Sequence, residues 1–225
     1  SIPYGGRYRM VDFPLSNMVN SGISEVGVIT KSNYGSLLDH LGSGREWDLA
    51  RKKGGLHLLP PFGVNTRGDY TGTAEALNAV ISYVRNIPEP EVVLMPADIV
   101  CNLDLAAAIA QHNASGCGIT AICRDGAVTG EHHRYLTDDR GRVTKLITSA
   151  AAGAGVTSME IYIVNKDVLL GILDFCAQEN RFHFHRDGLF EYLGRGGTMD
   201  VFLHRGYAVR VDTAADYFAA SMDML

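Results

Sequence analysis

Short β-rich runs alternate with helical stretches along this chain, and this alternation constrains the fold more than any other feature of the sequence. The β-rich runs occupy 23–30, 91–97, 118–123, 143–148, 159–164, 199–204 and 207–212. Helical patterns lie over 73–86 and 105–112, and a capping box at 213–216 marks the start of a last helix. Strands separated by helices favour βαβ units. We therefore expect an α/β, Rossmann-like fold with a mostly parallel sheet and helices on both faces.

Composition and charge disfavour several classes of protein. With 46% hydrophobic residues among 225, the chain is too apolar for a disordered protein. Its net charge of −5 disfavours nucleic-acid binding, which usually requires a basic surplus. No apolar run approaches the length of a transmembrane helix, and no signal peptide is visible, so we expect no membrane contact. The four cysteines form no CxxC motif, which predicts reduced thiols and a cytoplasmic location.

Asp98 is the first candidate functional residue. Ligands of parallel α/β sheets bind beyond the carboxyl ends of the strands, and Asp98 directly follows the apolar run 92–97. A carboxylate at this edge suits a hard cation such as magnesium, which prefers oxygen ligands. The alternative is that Asp98 only ends the strand or caps a turn.

Two glycine-containing segments are candidate binding loops. Gly5 and Gly6 precede Arg9, a combination that suits either phosphate binding or a tight turn followed by solvated arginines. The Gly- and Thr-rich segment 68–74 leads into a helix and offers backbone N–H groups to a base or an anion. Ordinary helix capping explains that segment equally well.

Histidines are candidate metal ligands, but the sequence does not assemble a site from them. His183 and His185 share one face of an extended segment, and no third ligand is visible nearby. His132 and His133 lie in a polar stretch, which predicts solvated imidazoles. No serine has a G-x-S-x-G setting, so a serine hydrolase is disfavoured.

The segment 2–23, IPYGGRYRMVDFPLSNMVNSGI, resembles the N-terminal region of bacterial glucose-1-phosphate adenylyltransferases (ADP-glucose pyrophosphorylases). Further on, 70–75 resembles the family's Y-R-G-T-A-D motif, 96–99 its G-D-H metal motif, 158–162 its S-M-G-x-Y strand and 206–213 its G-Y-W-R-D-V-G-T motif. The resemblance extends over essentially the whole chain. It implies the nucleotide-diphospho-sugar transferase fold, and a reaction of ATP with glucose 1-phosphate that yields ADP-glucose and pyrophosphate.

The resemblance also implies roles for individual residues. Asp98 takes the place of a catalytic carboxylate that binds magnesium. In the family, magnesium and cationic side chains stabilise charge on the transferred phosphoryl group. The implied nucleotide-binding residues are Gly5, Gly6, Arg9, Lys31, Gly72, Thr73 and Ala74, and the implied sugar-binding residues are Ser158 and Met159.

The sequence departs from the family pattern in five places. The family's first strand and glycine-rich loop would precede this sequence, and a C-terminal β-helix domain would follow it. We therefore expect 1–225 to be a nucleotidyltransferase-like domain cut from a longer chain. Lys31 and Thr71 replace a glutamine and an arginine of the nucleotide motifs, and 148–149 replaces the charged pair that holds the sugar phosphate. Arg210 replaces the second metal-binding aspartate.

The change at Arg210 is the most informative of the five, because a guanidinium repels the dication that an aspartate would attract. Asp212 lies on the same face of the strand but about 6.6 Å further along, so it substitutes only after a two-residue shift of register. We therefore expect a catalytically impaired regulatory subunit of glycogen biosynthesis. Its expected partners are a catalytic adenylyltransferase subunit or further copies of itself, and its expected ligands are ATP, glucose 1-phosphate or ADP-glucose. The alternatives are an active, magnesium-dependent glucose-1-phosphate adenylyltransferase and an enzyme for another sugar 1-phosphate.

Overall fold

The structure, a computed structural model, describes residues 2–61, 69–125, 132–149 and 153–224. Its strands are β1 (Pro3–Tyr4), β2 (Tyr8–Arg9), β3 (Glu25–Ile29), β4 (Gly55–Leu59), β5 (Glu91–Leu94), β6 (Ile99–Cys101), β7 (Ile119–Arg124), β8 (His132–Thr137), β9 (Val143–Ser149), β10 (Val156–Asn165), β11 (Met199–Leu203) and β12 (Ala208–Arg210). Its α-helices are α1 (Asp12–Asn20), α2 (Gly35–Leu41), α3 (Thr73–Ala79), α4 (Ile81–Asn86), α5 (Leu105–Ser115), α6 (Lys166–Gln178), α7 (Phe190–Gly194) and α8 (Ala214–Met222). The expectations for residue 68 and for the side chains at 132 and 148–149 lie outside the described residues.

A six-stranded sheet forms the centre of the fold, in the order β11-β7-β10-β8-β9, with β5 paired to the C-terminal half of β10. β11 runs parallel to β7, whereas β10 runs antiparallel to β5, β7 and β8, and β8 runs antiparallel to β9. The α/β class is confirmed, but this sheet is mixed rather than mostly parallel. Only a short turn joins β8 to β9, and a parallel pair would need a long crossover connection, usually a helix.

Alternation along the central strands buries both faces of the sheet. Ala121 and Tyr162 point to one face, where they pack with α3 and α6. Ile122 and Ile161 point to the other face, where they pack with α5. Helices therefore cover both faces, as the sequence predicts.

Local signals in the sequence set several element boundaries. The helical pattern at 73–86 forms two helices, α3 and α4, which meet at Val80. Asp104 caps α5 by accepting the backbone N–H of Ala107 at 3.0 Å, and the predicted capping box opens α8. The four cysteines are buried free thiols. In the described ranges, no helix combines the length and the apolar character that a membrane span requires.

Two further strand pairs frame the candidate site. β12 pairs antiparallel with β6 and places Arg210 opposite Ile99, next to Asp98. β3 and β4 form a separate parallel pair, and within the described chain neither pairs with β5. A cavity of about 700 Å³ lies between β3 and β5.

Candidate functional site

An ion-pair cluster centred on Arg210 lies beyond the carboxyl end of β5. The guanidinium Nη2 is 3.2 Å from Asp98 Oδ2, Nη1 is 3.0 Å from Glu160 Oε2, and Nε is 3.1 Å from Asp212 Oδ1. The backbone N–H of Val211 donates to the Asp98 carbonyl at 2.9 Å, which continues the ladder between β6 and β12 and fixes Arg210 beside Asp98. One guanidinium therefore neutralises part of the charge of three carboxylates.

The cluster shifts the protonation equilibria of its members. Burial lowers the pKa of Arg210, but the three carboxylates outweigh burial and leave this pKa above its ordinary value. Burial raises the pKa of the Asp98 carboxyl more than the Arg210 cation lowers it, and Glu160 and Asp212 raise it further. Although the Asp98 side chain is 42% exposed as a whole, its Oδ1 atom is buried and accepts no hydrogen bond from the described residues.

These residues do not fit the magnesium site that the family resemblance implies at Asp98. Among the side chains of β12 and the residues that follow it, the cation Arg210 donates to Asp98. Asp212 contacts a different nitrogen of the same guanidinium, and the strand register does not bring it into the place of Arg210. We therefore assign no magnesium-dependent step to these residues.

Glu160 is a functional candidate that the sequence analysis did not identify. The register between β10 and β7 shifts between Ser158 and Ile161, and Glu160 lies in this bulge with a φ of 57°. A left-handed backbone conformation favours glycine, which is the residue that the S-M-G-x-Y motif carries here. Glutamate at this glycine position was the sequence signal for the site. The bulge lets the Glu160 carboxylate reach Arg210.

Two histidines lie on the other side of the Glu160 carboxylate. His133 from β8 and His185 from a π-helical turn at Phe184–Leu189 have ring centroids 3.7 Å apart. Their Nε2 atoms are 4.0 Å and 3.9 Å from Glu160 Oε1. Burial, followed by the nearby His133, lowers the pKa of His185 to about 4, so its imidazole is neutral at pH 7.

The structure corrects two expectations about these histidines. His133 was expected to be solvated, but it lies in a strand and its side chain is only 17% exposed. The pair His183 and His185 was expected to lack a third ligand. The fold instead brings His133 and Glu160 to His185, and the ligand atoms of these three residues all lie within 4.8 Å of one another.

Some of the predicted nucleotide-binding residues line the cavity and others do not. Lys31 and Thr73 are on its wall, together with Glu160 and His185. Gly5, Gly6 and Arg9 are absent from the described lining. The nucleotide roles of all seven residues remain predictions.

The turn between β1 and β2 faces the C-terminal helix. Gly5 and Gly6 have φ values of 55° and 74°, as a tight turn requires, and a Cβ added at Gly5 would be 3.4 Å from Met224 Cε. Arg9 Nη1 donates to Ser36 Oγ at 3.0 Å. These contacts are those of a tight turn, and the phosphate-binding role of its residues remains a prediction.

The start of α3 packs against the segment before the π-helical turn. The backbone N–H of Ala74 donates to the Phe182 carbonyl at 2.9 Å, and that of Glu75 donates to the same oxygen at 3.4 Å. A Cβ added at Gly72 would collide with this carbonyl. The absence of a side chain at Gly72 therefore allows a close contact within the fold.

The predicted sugar-binding residues lie beneath the bulge. Ser158 and Met159 are 5% and 3% exposed. Ser158 Oγ is 3.3 Å from the hydroxyls of both Tyr135 and Tyr162, and it accepts the backbone N–H of Glu160 at 3.0 Å. Ser158 therefore holds the bulge that presents Glu160, and its contact with a sugar remains a prediction.

Comparison with known proteins decides the family. The nucleotidyl transferase family model matches residues 1–225. This chain belongs to the nucleotidyl transferase family. A glucose-1-phosphate adenylyltransferase of Thermomicrobium roseum is 32% identical over 100% of this chain and 54% of its own length. The glycogen biosynthesis protein GlgD of Bacillus subtilis is 28% identical over 100% of this chain and 56% of its own length.

Solved structures of low sequence identity share the fold of this nucleotidyl transferase family member. A Bacillus anthracis protein named as a candidate glucose-1-phosphate thymidylyltransferase, in complex with sucrose, has a TM-score of 0.78 at 16% identity and covers 99% of this chain and 85% of its own. HddC from Yersinia pseudotuberculosis has a TM-score of 0.70 at 14% identity and covers 100% of this chain and 88% of its own. The chain spans about half the length of the curated relatives that it matches.

Proposed function

We propose that this chain is the nucleotidyltransferase-like domain of a regulatory subunit in ADP-glucose synthesis, and that it assembles with a catalytic adenylyltransferase subunit. The ion pair between Arg210 and Asp98 carries the proposal. The family motif has a metal-binding aspartate at position 210, so the pair removes one carboxylate and engages the other. Similarity to adenylyltransferases and to GlgD, a glycogen biosynthesis protein, supports the pathway part of the proposal.

Electrostatics explains why this arrangement disfavours catalysis. A dication about 5 Å from the Arg210 guanidinium would be repelled by on the order of 6 kcal/mol at an effective dielectric of about 20. The neighbouring carboxylates offset part of this repulsion, and the net result is weaker magnesium binding than two aspartates without the cation would give. A nucleotide or nucleotide sugar that binds to the domain without turnover would then act as a regulatory signal.

The alternative function is an active nucleotidyltransferase, for glucose 1-phosphate or another sugar 1-phosphate. One observation favours it: Asp98 Oδ1 is buried and accepts no hydrogen bond within the described part of the chain. If substrate binding moved Arg210 away, both oxygens of Asp98 would become available to a cation. Magnesium would then be the expected cofactor.

An activity assay of the purified natural protein separates the two functions. We expect no magnesium-dependent formation of ADP-glucose by the protein alone, and a changed rate when the protein is added to a catalytic adenylyltransferase subunit. Turnover by the protein alone would overturn the regulatory proposal.

Ligand titrations and a mass measurement complete this test. We expect calorimetric titrations with ATP and ADP-glucose to give affinities that do not depend on magnesium. Light scattering of the mixture with the catalytic subunit should reveal a hetero-oligomer. A purely homo-oligomeric mixture would contradict the proposed partner.

A further inference from the structure

Three elements that are distant in sequence bring two imidazoles and a carboxylate together. His133 comes from β8, Glu160 from the bulge of β10, and His185 from the π-helical turn. Their side chains are 17%, 19% and 18% exposed, so each is largely withdrawn from water. This cluster shares Glu160 with the ion pairs around Arg210 and adds two imidazoles to it.

We propose that His133, His185 and Glu160 form a binding site for a divalent transition-metal ion of the zinc type. Two imidazole nitrogens and one carboxylate oxygen are a ligand set that suits zinc rather than magnesium, which prefers oxygen ligands alone. Three protein ligands leave a further coordination position for water or another ligand. Glu160 and His185 also line the cavity between β3 and β5.

The surroundings of the cluster support metal binding. Glu160 presents Oε1 to both histidines, while its Oε2 forms an ion pair with Arg210 Nη1 at 3.0 Å. Metal-ligating carboxylates are commonly oriented by such a second contact. Glu160 also keeps its side chain at a backbone position that favours glycine.

The Arg210 cation does not exclude a metal here as it does at Asp98. It contacts the opposite oxygen of Glu160, and the carboxylate lies between the guanidinium and the histidines. The three carboxylates around Arg210 also leave the cluster with a negative formal balance. In addition, the imidazole nitrogens form bonds to zinc that have no counterpart at Asp98.

Metal binding requires only a small contraction of the cluster. The Nε2 atoms are 4.0 Å and 3.9 Å from Glu160 Oε1. Tetrahedral zinc with bonds of about 2.1 Å sets its ligand atoms about 3.4 Å apart, so each of these two Nε2–Oε1 distances must shorten by roughly 0.5–0.6 Å.

Titration of the chelator-treated, metal-free protein with Co²⁺ and then Zn²⁺ tests the proposal. We expect one equivalent of Co²⁺ to give visible d–d absorption and Zn²⁺ to displace it. His133→Gln and His185→Gln should each weaken Co²⁺ binding at least tenfold, whereas His57→Gln should bind as the parent protein does. His57 is a suitable control because it packs on the Tyr83 ring, outside the cluster.

Circular dichroism melts of the metal-free variants confirm that any loss of binding is not a loss of folding. Absence of saturable Co²⁺ or Zn²⁺ binding by the parent protein would overturn the proposal, as would equal affinity in the parent and the His185→Gln variant. The inference does not rest on the proposed regulatory role, because the measurement is metal binding by the protein alone, without substrate or turnover.

Discussion

Replacing Arg210 by methionine removes the guanidinium while keeping much of the side-chain volume, and it leaves Asp98, Glu160 and Asp212 without their shared cation. Removing one partner of a buried ion pair destabilises a protein by about 3–5 kcal/mol. Here Asp98 and Asp212 are 42% and 51% exposed, so water screens part of the repulsion. We therefore expect Arg210→Met to lower the free energy of unfolding by about 2–3 kcal/mol.

We also expect Mg²⁺ to restore part of the stability that the Arg210→Met variant loses. With the cation gone, Asp98 and its neighbouring carboxylates become a site for Mg²⁺. For a dissociation constant on the order of 1 mM, about 20 mM Mg²⁺ stabilises the folded state by about 1.8 kcal/mol. At about 2–4 °C per kcal/mol for a chain of this size, Arg210→Met should melt about 4–12 °C below the parent and regain about 4–7 °C with Mg²⁺.

Thermal melts at constant ionic strength, with and without Mg²⁺, measure both effects. Arg85→Met is the matched control, because Arg85 pairs with Asp174 at 3.6 Å and both side chains are 55% exposed. Such a surface pair is worth about 0–1 kcal/mol, so this control should melt close to the parent. Equal melting temperatures of the Arg210→Met variant and the parent, or an equal response of the parent to Mg²⁺, would refute the electrostatic argument.

Three further predictions concern pH, packing and capping. Because the pKa of His185 is about 4 in the fold against 6.5 when unperturbed, the unfolded state takes up the proton first. Stability of the metal-free protein should therefore fall by up to about 3 kcal/mol as pH decreases from 6.5 to 4, and His185→Gln should flatten this dependence in denaturant titrations. Gly72→Ala should destabilise the fold by about 1–3 kcal/mol in the same assay, because the new Cβ collides with the Phe182 carbonyl. If the variant is as stable as the parent, the Phe182 carbonyl moves away from the new Cβ at little energetic cost, and the prediction is wrong. Thr213→Ala removes the capping box of α8 and should cost about 1 kcal/mol, while Thr213→Ser should retain most of it.

Much of the secondary structure follows from local patterns in the sequence. The apolar run before Asp98 forms β5, the capping residue Asp104 starts α5, and the capping box at Thr213 starts α8. These features depend on neighbours within a few residues, so periodicity and capping chemistry predict them. The pairing of strands was less predictable, because the residues of a strand such as β8 do not indicate which other strand it pairs with.

The candidate site was predictable only in part. Arg210 was recognised as the unusual residue because it departs from a family motif, and the strand alternation placed Asp212 on the same face. Glu160 also departs from a family motif, but its importance depends on a bulge that no local pattern marked. His133 appeared solvated because its sequence neighbours are polar, whereas β8 places it against His185.

The sequence by itself determined the alternation of strands and helices, the caps of α5 and α8, and membership of the nucleotidyl transferase family. Only the tertiary structure decided which charge meets Asp98, since the Arg210 that donates to it is 112 residues away along the chain. It also decided that His133, Glu160 and His185 form one cluster. The physical reason is the distance over which each interaction acts. Helix propensity and capping depend on residues that are close in sequence. Charges and ligands interact over a few ångströms in space, and strand pairing sets those distances.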